Sequence, residues 1–177
     1  FYREGKLPLQ YKELDLKNIL TPSISNTELK ASEKKINFLS SLEEHLNITC
    51  DGEKLVEVVE NLIDNAFKFT PRGGQIKLTA KEVDKNGISI TVSDTGIGIP
   101  ENLLDKIFLG TPLVSRKGLR SERGTGLGLS FCKKIIDMHG GTIEVKSQEE
   151  KGTTVVIYLP KTPRKSYSWE DEMKRDA

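Results

Sequence analysis

The chain has 177 residues, enough for one domain with a sizeable core and too few for two ordinary ones. Its 27 Lys+Arg against 26 Asp+Glu leave a net charge of +1, which removes any global electrostatic basis for binding nucleic acid or an anionic membrane. No apolar run approaches membrane-spanning length, the opening residues lack the apolar middle of a signal peptide, and Cys50 and Cys132 sit far apart without a CxxC or a nearby histidine, so buried reduced thiols in a cytoplasmic protein are expected rather than a zinc site.

The opening FYREGKLPLQYKELDL has no initiating methionine and reads as the continuation of sequence upstream, with residues 1–12 as a linker. Asp15 is placed to cap a helix through Leu20, Ile24, Leu29 and Ala31, in which Pro22 must lie in the first turns or introduce a kink. INFLSS (36–41) and LNITC (46–50) are short strands. Asp51 then caps a helix over Leu55 to Phe69, whose apolar residues Leu55, Val58, Val59, Leu62 and Phe67 recur at helical spacing. Asn61, Asn65 and Lys68 recur at i, i+4 and i+7 on the same helix, so two amides and an amine share a side. Alone, such a trio is more often a solvated helix face. Pro71-Arg72-Gly73-Gly74 ends the helix, and QIKLTAKEV (75–83) and GISITVSD (87–94) form an antiparallel hairpin through Asp84-Lys85-Asn86-Gly87.

From Thr95 to Gly128 regularity gives way to glycine, with seven of the chain's fifteen in this stretch, which marks it as the functional loop region. A helix over 129–140 follows, with Phe131, Ile135, Ile136 and Met138 as its core stripe, and it stops at Gly140-Gly141. Strands TIEVKS (142–147) and TTVVIYLP (153–160) turn around Gly152, and the charged segment 161–177 reads as a tail or linker. This order predicts an α+β fold: a two-layer α/β sandwich with a mixed, mostly antiparallel sheet of about five strands and three helices on one face.

The glycines carry chemical meaning. GTGLGL (124–129) runs into a helix, so the amides of Gly126 to Gly128 are free to face an anion, with the helix dipole adding attraction. It is neither a Walker loop nor a dinucleotide fingerprint. In DTGIGIP (94–100) the Asp94 carboxylate ends a strand and is placed to accept from an exocyclic amine, while Gly98 lets a flat ring approach the backbone. Magnesium keeps several waters and shares itself between one or two protein oxygens and substrate phosphates, so the Asn65 amide suffices as its protein ligand. Lys68, one turn on, would neutralise phosphate charge, and Phe69 offers a ring face.

Taken in order, NLIDNAFKF, DTGIGIP, GTGLGL and GTTVVIYLP resemble the asparagine and glycine boxes of the GHKL superfamily, most closely the ATP-binding catalytic domain (Bergerat fold) of sensor histidine kinases. The resemblance covers roughly residues 13–160. It implies that ATP and Mg2+ are the cofactors, that Asn65 ligates Mg2+ with Asn61 assisting, and that Lys68 contacts phosphate. By the same likeness Phe69 lies beside the nucleotide, Asp94 reads adenine N6, and Thr153 supports Asp94 through water. Further nucleotide contacts fall on Gly96, Gly98, Ile99, Gly124, Thr125, Gly126, Leu127, Gly128 and Leu129. Leu109 to Arg123 would form a mobile lid, with Arg116, Lys117 and Arg123 as phosphate-binding candidates beside Arg120. The implied partners are a dimerisation and phosphoacceptor domain and a response regulator receiver domain, with no nucleic acid or membrane contact and a monomeric isolated fragment.

Two departures qualify the likeness. Ile107-Phe108 is followed by LGTPL, so Thr111 replaces the family's second aromatic in that box. The phosphoacceptor motif is absent: His45 lies in a turn and His139 at a helix end, both structural positions, so no catalytic residue of the transfer itself is assigned within the chain. GHKL ATPases such as Hsp90 and MutL carry a glutamate one turn before the metal-binding asparagine. Here that position is Asn61, and a carboxamide is no general base, so slow or absent hydrolysis is expected. Glu57 would serve only in a shifted register. The alternatives are a GHKL-type ATPase and a degenerate module that binds ATP without transfer.

Overall fold

The computed structural model describes residues 9–110 and 127–163. Its main sheet has five strands in the order β2-β4-β5-β7-β6: β2 (Asn37–Leu42), β4 (Gln75–Asp84), β5 (Gly87–Asp94), β7 (Gly152–Pro160) and β6 (Thr142–Gln148). Among the described residues, only the β2–β4 pairing is parallel. The period of two decides which face is covered. Ile76, Leu78 and Ala80 alternate with Lys77, Thr79 and Lys81, and the register aligns Leu78 with Val92, Ile90 with Ile157, and Ile157 with Ile143. That apolar face takes α1 (Leu16–Lys34), α2 (Gly52–Phe69) and α4 (Gly128–Met138) into one core, as the sequence predicts. A single turn, α3 (Glu101–Leu104), lies in the stretch read as loop.

Two features depart from expectation. LNITC does not join the main sheet. As β3 (Asn47–Cys50) it pairs antiparallel with β1 (Lys12–Asp15), a strand the sequence reading did not anticipate. Asp15 caps α1 as predicted, accepting from the Lys17 N–H at 2.9 Å, but the buried stripe is Leu16, Leu20, Ser23, Thr27 and Ala31, and Leu29 is 69% exposed. The stripe was misread because two of its members are hydroxyl residues. Each is satisfied internally: Ser23 donates to Glu60 at 2.6 Å and Thr27 to the Ser23 carbonyl at 2.6 Å. Pro22 lies in the second turn of this helix.

Helix α2 follows its pattern closely. Asp51 accepts from the Lys54 N–H at 3.1 Å, and Leu55, Val58, Val59, Leu62, Ile63, Ala66 and Phe67 are buried. Each fully buried aliphatic here contributes about 1.5–3 kcal/mol. On α4 the buried residues are Cys132, Ile135 and Ile136, and the expected Phe131 and Met138 only flank the core. Cys132 lies against α2, its sulfur 3.7 Å from the Val58 carbonyl.

A clasp joins the N-terminus of α2 to the C-terminus of α4. His139 is 2% exposed; its Nε2 accepts from the Asp51 N–H at 3.0 Å, so Nδ1 carries the proton toward the Ile135 carbonyl at 2.8 Å. The Tyr11 hydroxyl donates to the Met138 carbonyl at 2.8 Å, and the Gln10 N–H donates to Asp51 Oδ2 at 2.8 Å. Burial alone would push the Asp51 carboxyl up, but the Gln10 and Lys54 N–H donors, together with the electrostatic pull of nearby His139 and Lys54, more than offset it and hold it below its ordinary value. Lys161, placed by sequence at the head of the tail, is tied into the domain: its N–H donates to Asn86 and its carbonyl accepts from Thr49, both at 2.7 Å. Fastening one end of the α2–α4 pair fixes the opposite end, where the predicted site residues stand.

Candidate functional site

Asn61, Asn65 and Lys68 lie in the second half of α2. The structure brings the two asparagines to the start of α4. A Cβ built on Gly128 would stand 3.2 Å from Asn61 Oδ1 and 3.8 Å from Asn65 Nδ2, so both amides face the first turn of α4. Asn61 Nδ2 donates back to the Glu57 carbonyl at 2.9 Å, which turns its oxygen outward. Asn65 makes no side-chain hydrogen bond among the described residues. The Lys68 ammonium lies 5.3 Å from the centre of the Phe69 ring. Glu57, the shifted-register base, points elsewhere: its carboxylate pairs with Lys54 at 2.8 Å, and it stands two turns, about 12 Å along the helix, before Asn65.

The C-terminal end of β5, beside β7, supplies the second wall. Asp94 ends β5, paired in register with Thr153 of β7. Its Oδ1 accepts from the Gly96 N–H at 2.8 Å and from the Thr153 N–H at 3.3 Å, which leaves Oδ2 as an acceptor. Burial pushes the Asp94 carboxyl above its ordinary value despite those two donors. Phe69 and this loop are stitched by the backbone, the Ile97 N–H donating to the Phe69 carbonyl at 3.1 Å. A Cβ on Gly96 would come within 2.5 Å of that same carbonyl oxygen, so the close approach requires glycine. Gly98 has φ +68 and sits against the Gln148 carbonyl, where a side chain has no room.

Sequence reading missed the third contributor, the turn between β6 and β7. The Glu150 N–H donates to the Ile97 carbonyl at 2.9 Å, and the Ile99 N–H donates to Ser147 Oγ at 2.8 Å. Ser147 also contacts Thr153 Oγ1 at 2.8 Å and donates within reach of the Gly152 carbonyl at 2.9 Å. Gly152, with φ +110, packs directly on the Asp94 backbone. Only the glycine and Thr153 were legible, because a lone serine in an alternating strand carries no signal of its own.

Leu127, Gly128 and Leu129 are described, the first 54% exposed and the last packed against the core. Arg116, Lys117, Arg120, Arg123, Gly124, Thr125, Gly126 and Thr111 lie outside the described residues, as does most of the predicted lid. Ile107 is buried and Phe108 packs against the core. Among the described residues no group of three or more His, Cys, Asp and Glu is arranged to hold a metal. A magnesium ion held by an amide oxygen and the ligand's own phosphates fits this donor set. Both cysteines are free and buried, as the sequence predicts. Among the described residues, no helix is long and apolar enough to cross a membrane.

Residues 50–163 match the family of histidine kinase-, DNA gyrase B- and HSP90-like ATPases. A hybrid signal transduction histidine kinase of Dictyostelium discoideum is 38% identical over 164 residues, 90% of this chain and 11% of that protein. The adaptive-response sensory kinase SasA of Thermosynechococcus vestitus is 37% identical over 158 residues, 89% of this chain and 41% of its own length. The chain therefore spans less than half of either relative. Among solved structures, the catalytic domain of histidine kinase ThkA superposes with a TM-score of 0.75 at 34% identity, covering 87% of this chain and 99% of that one. ThkA in complex with the response regulator protein TrrA gives a TM-score of 0.72 at 31% identity over 88% of this chain and 43% of that one.

Proposed function

The chain belongs to the histidine kinase-, DNA gyrase B- and HSP90-like ATPase family, among the histidine kinase catalytic domains, and from that premise we propose that it transfers the γ-phosphoryl group of ATP to a histidine on a separate dimerisation domain. In this reading Asp94 Oδ2 accepts from the adenine amine, Gly98 and Ile99 lie along the base, and Phe69 flanks it. Lys68 lies against the phosphates, and the amides leading into α4 face them. Asn65 would hold Mg2+, with Asn61 beside it. The ion supplies charge neutralisation across the phosphate oxygens when bound.

Phosphoryl transfer asks little covalent chemistry of the protein. The acceptor imidazole attacks the γ-phosphorus, the bond to the bridging oxygen breaks, and ADP leaves. The contribution of this chain is to fix both ends of the nucleotide on rigid elements, which converts the encounter into an oriented one. Residues 1–12 would link to the dimerisation domain, residues 13–160 would be the catalytic unit and 161–177 a tail. The phosphorylated histidine would then serve a response regulator receiver domain.

The single observation that carries kinase over ATPase is Asn61. It occupies the position one turn before Asn65, its amide is bonded to the helix at 2.9 Å, and it has no carboxylate to deprotonate water. Phosphate release by the 177-residue chain in Mg-ATP, without an acceptor domain, should be barely above the uncatalysed rate, and Asn61→Glu should raise it. Brisk release by the wild-type chain would favour the ATPase reading instead.

A further inference from the structure

We propose that Ser147 is the positioning residue of the base-reading wall, and that through it the β6–β7 hairpin sets selectivity for a 6-aminopurine nucleotide. The inference rests on the reading of Asp94 as the acceptor for the base. Ser147 stands directly opposite Thr153 in the β6–β7 ladder, and Thr153 stands directly opposite Asp94 in the β5–β7 ladder. Side chains and amides then run in an unbroken series across three strands and a loop. The Ile99 N–H donates to Ser147 Oγ at 2.8 Å, Ser147 Oγ meets Thr153 Oγ1 at 2.8 Å, and the Thr153 N–H reaches Asp94 Oδ1 at 3.3 Å.

A serine hydroxyl has one proton and two lone pairs. Ser147 accepts from Ile99, so its one proton goes either to the Gly152 carbonyl at 2.9 Å or to Thr153 Oγ1. In the first arrangement Thr153 donates into Ser147; in the second Thr153 receives and its own proton is free to turn toward the base side. Either way Ser147 fixes the rotation of the threonine hydroxyl and holds the Ile99 amide, which follows Gly98 on the ring-approach side of the loop. Without the hydroxyl, the Ile99 N–H loses its partner and Thr153 loses its orientation. Both defects act on the groups that register the base, and neither touches Asn61, Asn65 or Lys68 on α2.

The test compares ATP with purine riboside triphosphate, the same nucleotide without the 6-amino group, by titration calorimetry on the full chain. Wild type should bind ATP about tenfold more tightly than the analogue, as expected for a hydrogen bond to a charged acceptor. S147A should lose about five- to tenfold in ATP affinity and change less than about twofold for the analogue, and S147T, which keeps the hydroxyl, should recover the preference. If S147A fails to fold, S147C must show the same selective loss, since sulfur keeps the volume but accepts weakly. Equal weakening of both nucleotides, or none, overturns the role of Ser147. A wild-type chain that binds both alike sinks instead the assignment of Asp94 to the base, whatever the variants do.

Discussion

The wall around Asp94 and the polar face of α2 are built on opposite plans. At the first, Asp94 already holds two backbone N–H groups, and Gly98 and Gly152 are pressed against the Gln148 and Asp94 backbones. Ser147 and Glu150 sew the loop to the neighbouring hairpin. At the second, among the described residues, the Asn65 side chain is unbonded and the Asn61 amide donates to its own helix, and both face the turn at Gly128. One wall is organised before any ligand arrives. The other presents amide groups which, under the proposed function, would meet the metal and phosphates. Under the proposed function, this difference would place affinity and selectivity at the Asp94 strand end, and phosphate chemistry on α2.

Adding a methyl at Gly152 should break the organised wall most severely. Its positive φ and its packing on Asp94 combine backbone strain with overpacking, so Gly152→Ala should cost about 3 kcal/mol of stability, visible as a lowered Tm. Next in size is Asn65→Ala. It should reduce Mg-dependent phosphotransfer at least about 100-fold while leaving adenosine binding intact, which would separate the two walls in one variant. A comparable loss of adenosine affinity would merge them.

Asp94→Asn should weaken ATP roughly tenfold, about 1.4 kcal/mol. Because burial raises the Asp94 carboxyl, ATP affinity should begin to fall at a higher pH than an ordinary aspartate would dictate, and that acidic limb should vanish in Asp94→Asn. The same raised value means that Asp94 contributes stability below its unfolded pKa and loses it as pH rises through its folded pKa. Smallest of all should be the reactivity of the thiols. Burial pushes Cys50 up to about 11 and Cys132 up to about 12, so a thiol reagent at neutral pH should label neither until the chain unfolds.

The polar face of α2 was legible in the sequence because helical spacing is local: Asn61, Asn65 and Lys68 share a face wherever α2 forms, and Asp51 marks its start. The main sheet was legible for a similar reason, since the Asn86-Gly87 turn and period-two runs define its hairpins. The organised wall was not. The contacts of Ser147 form only when β6, β7 and the loop after β5 meet, which is a matter of long-range register. The same holds for β1, whose pairing with β3 is non-local, and for α1, where Ser23 and Thr27 occupy core positions that hydrophobic periodicity skips. His139 was read correctly as structural, but its clasp on Asp51 required two helix ends brought together from distant sequence.

The most direct measurement mixes the chain with γ-labelled ATP, Mg2+ and a separately prepared dimerisation domain carrying the acceptor histidine, and follows label on the histidine and free phosphate together. Label should accumulate on the histidine with little free phosphate, and Asn65→Ala should abolish it. Binding of ATP with no labelled histidine, or release of phosphate faster than any transfer, would contradict a histidine kinase catalytic domain and leave a binding module or an ATPase in its place.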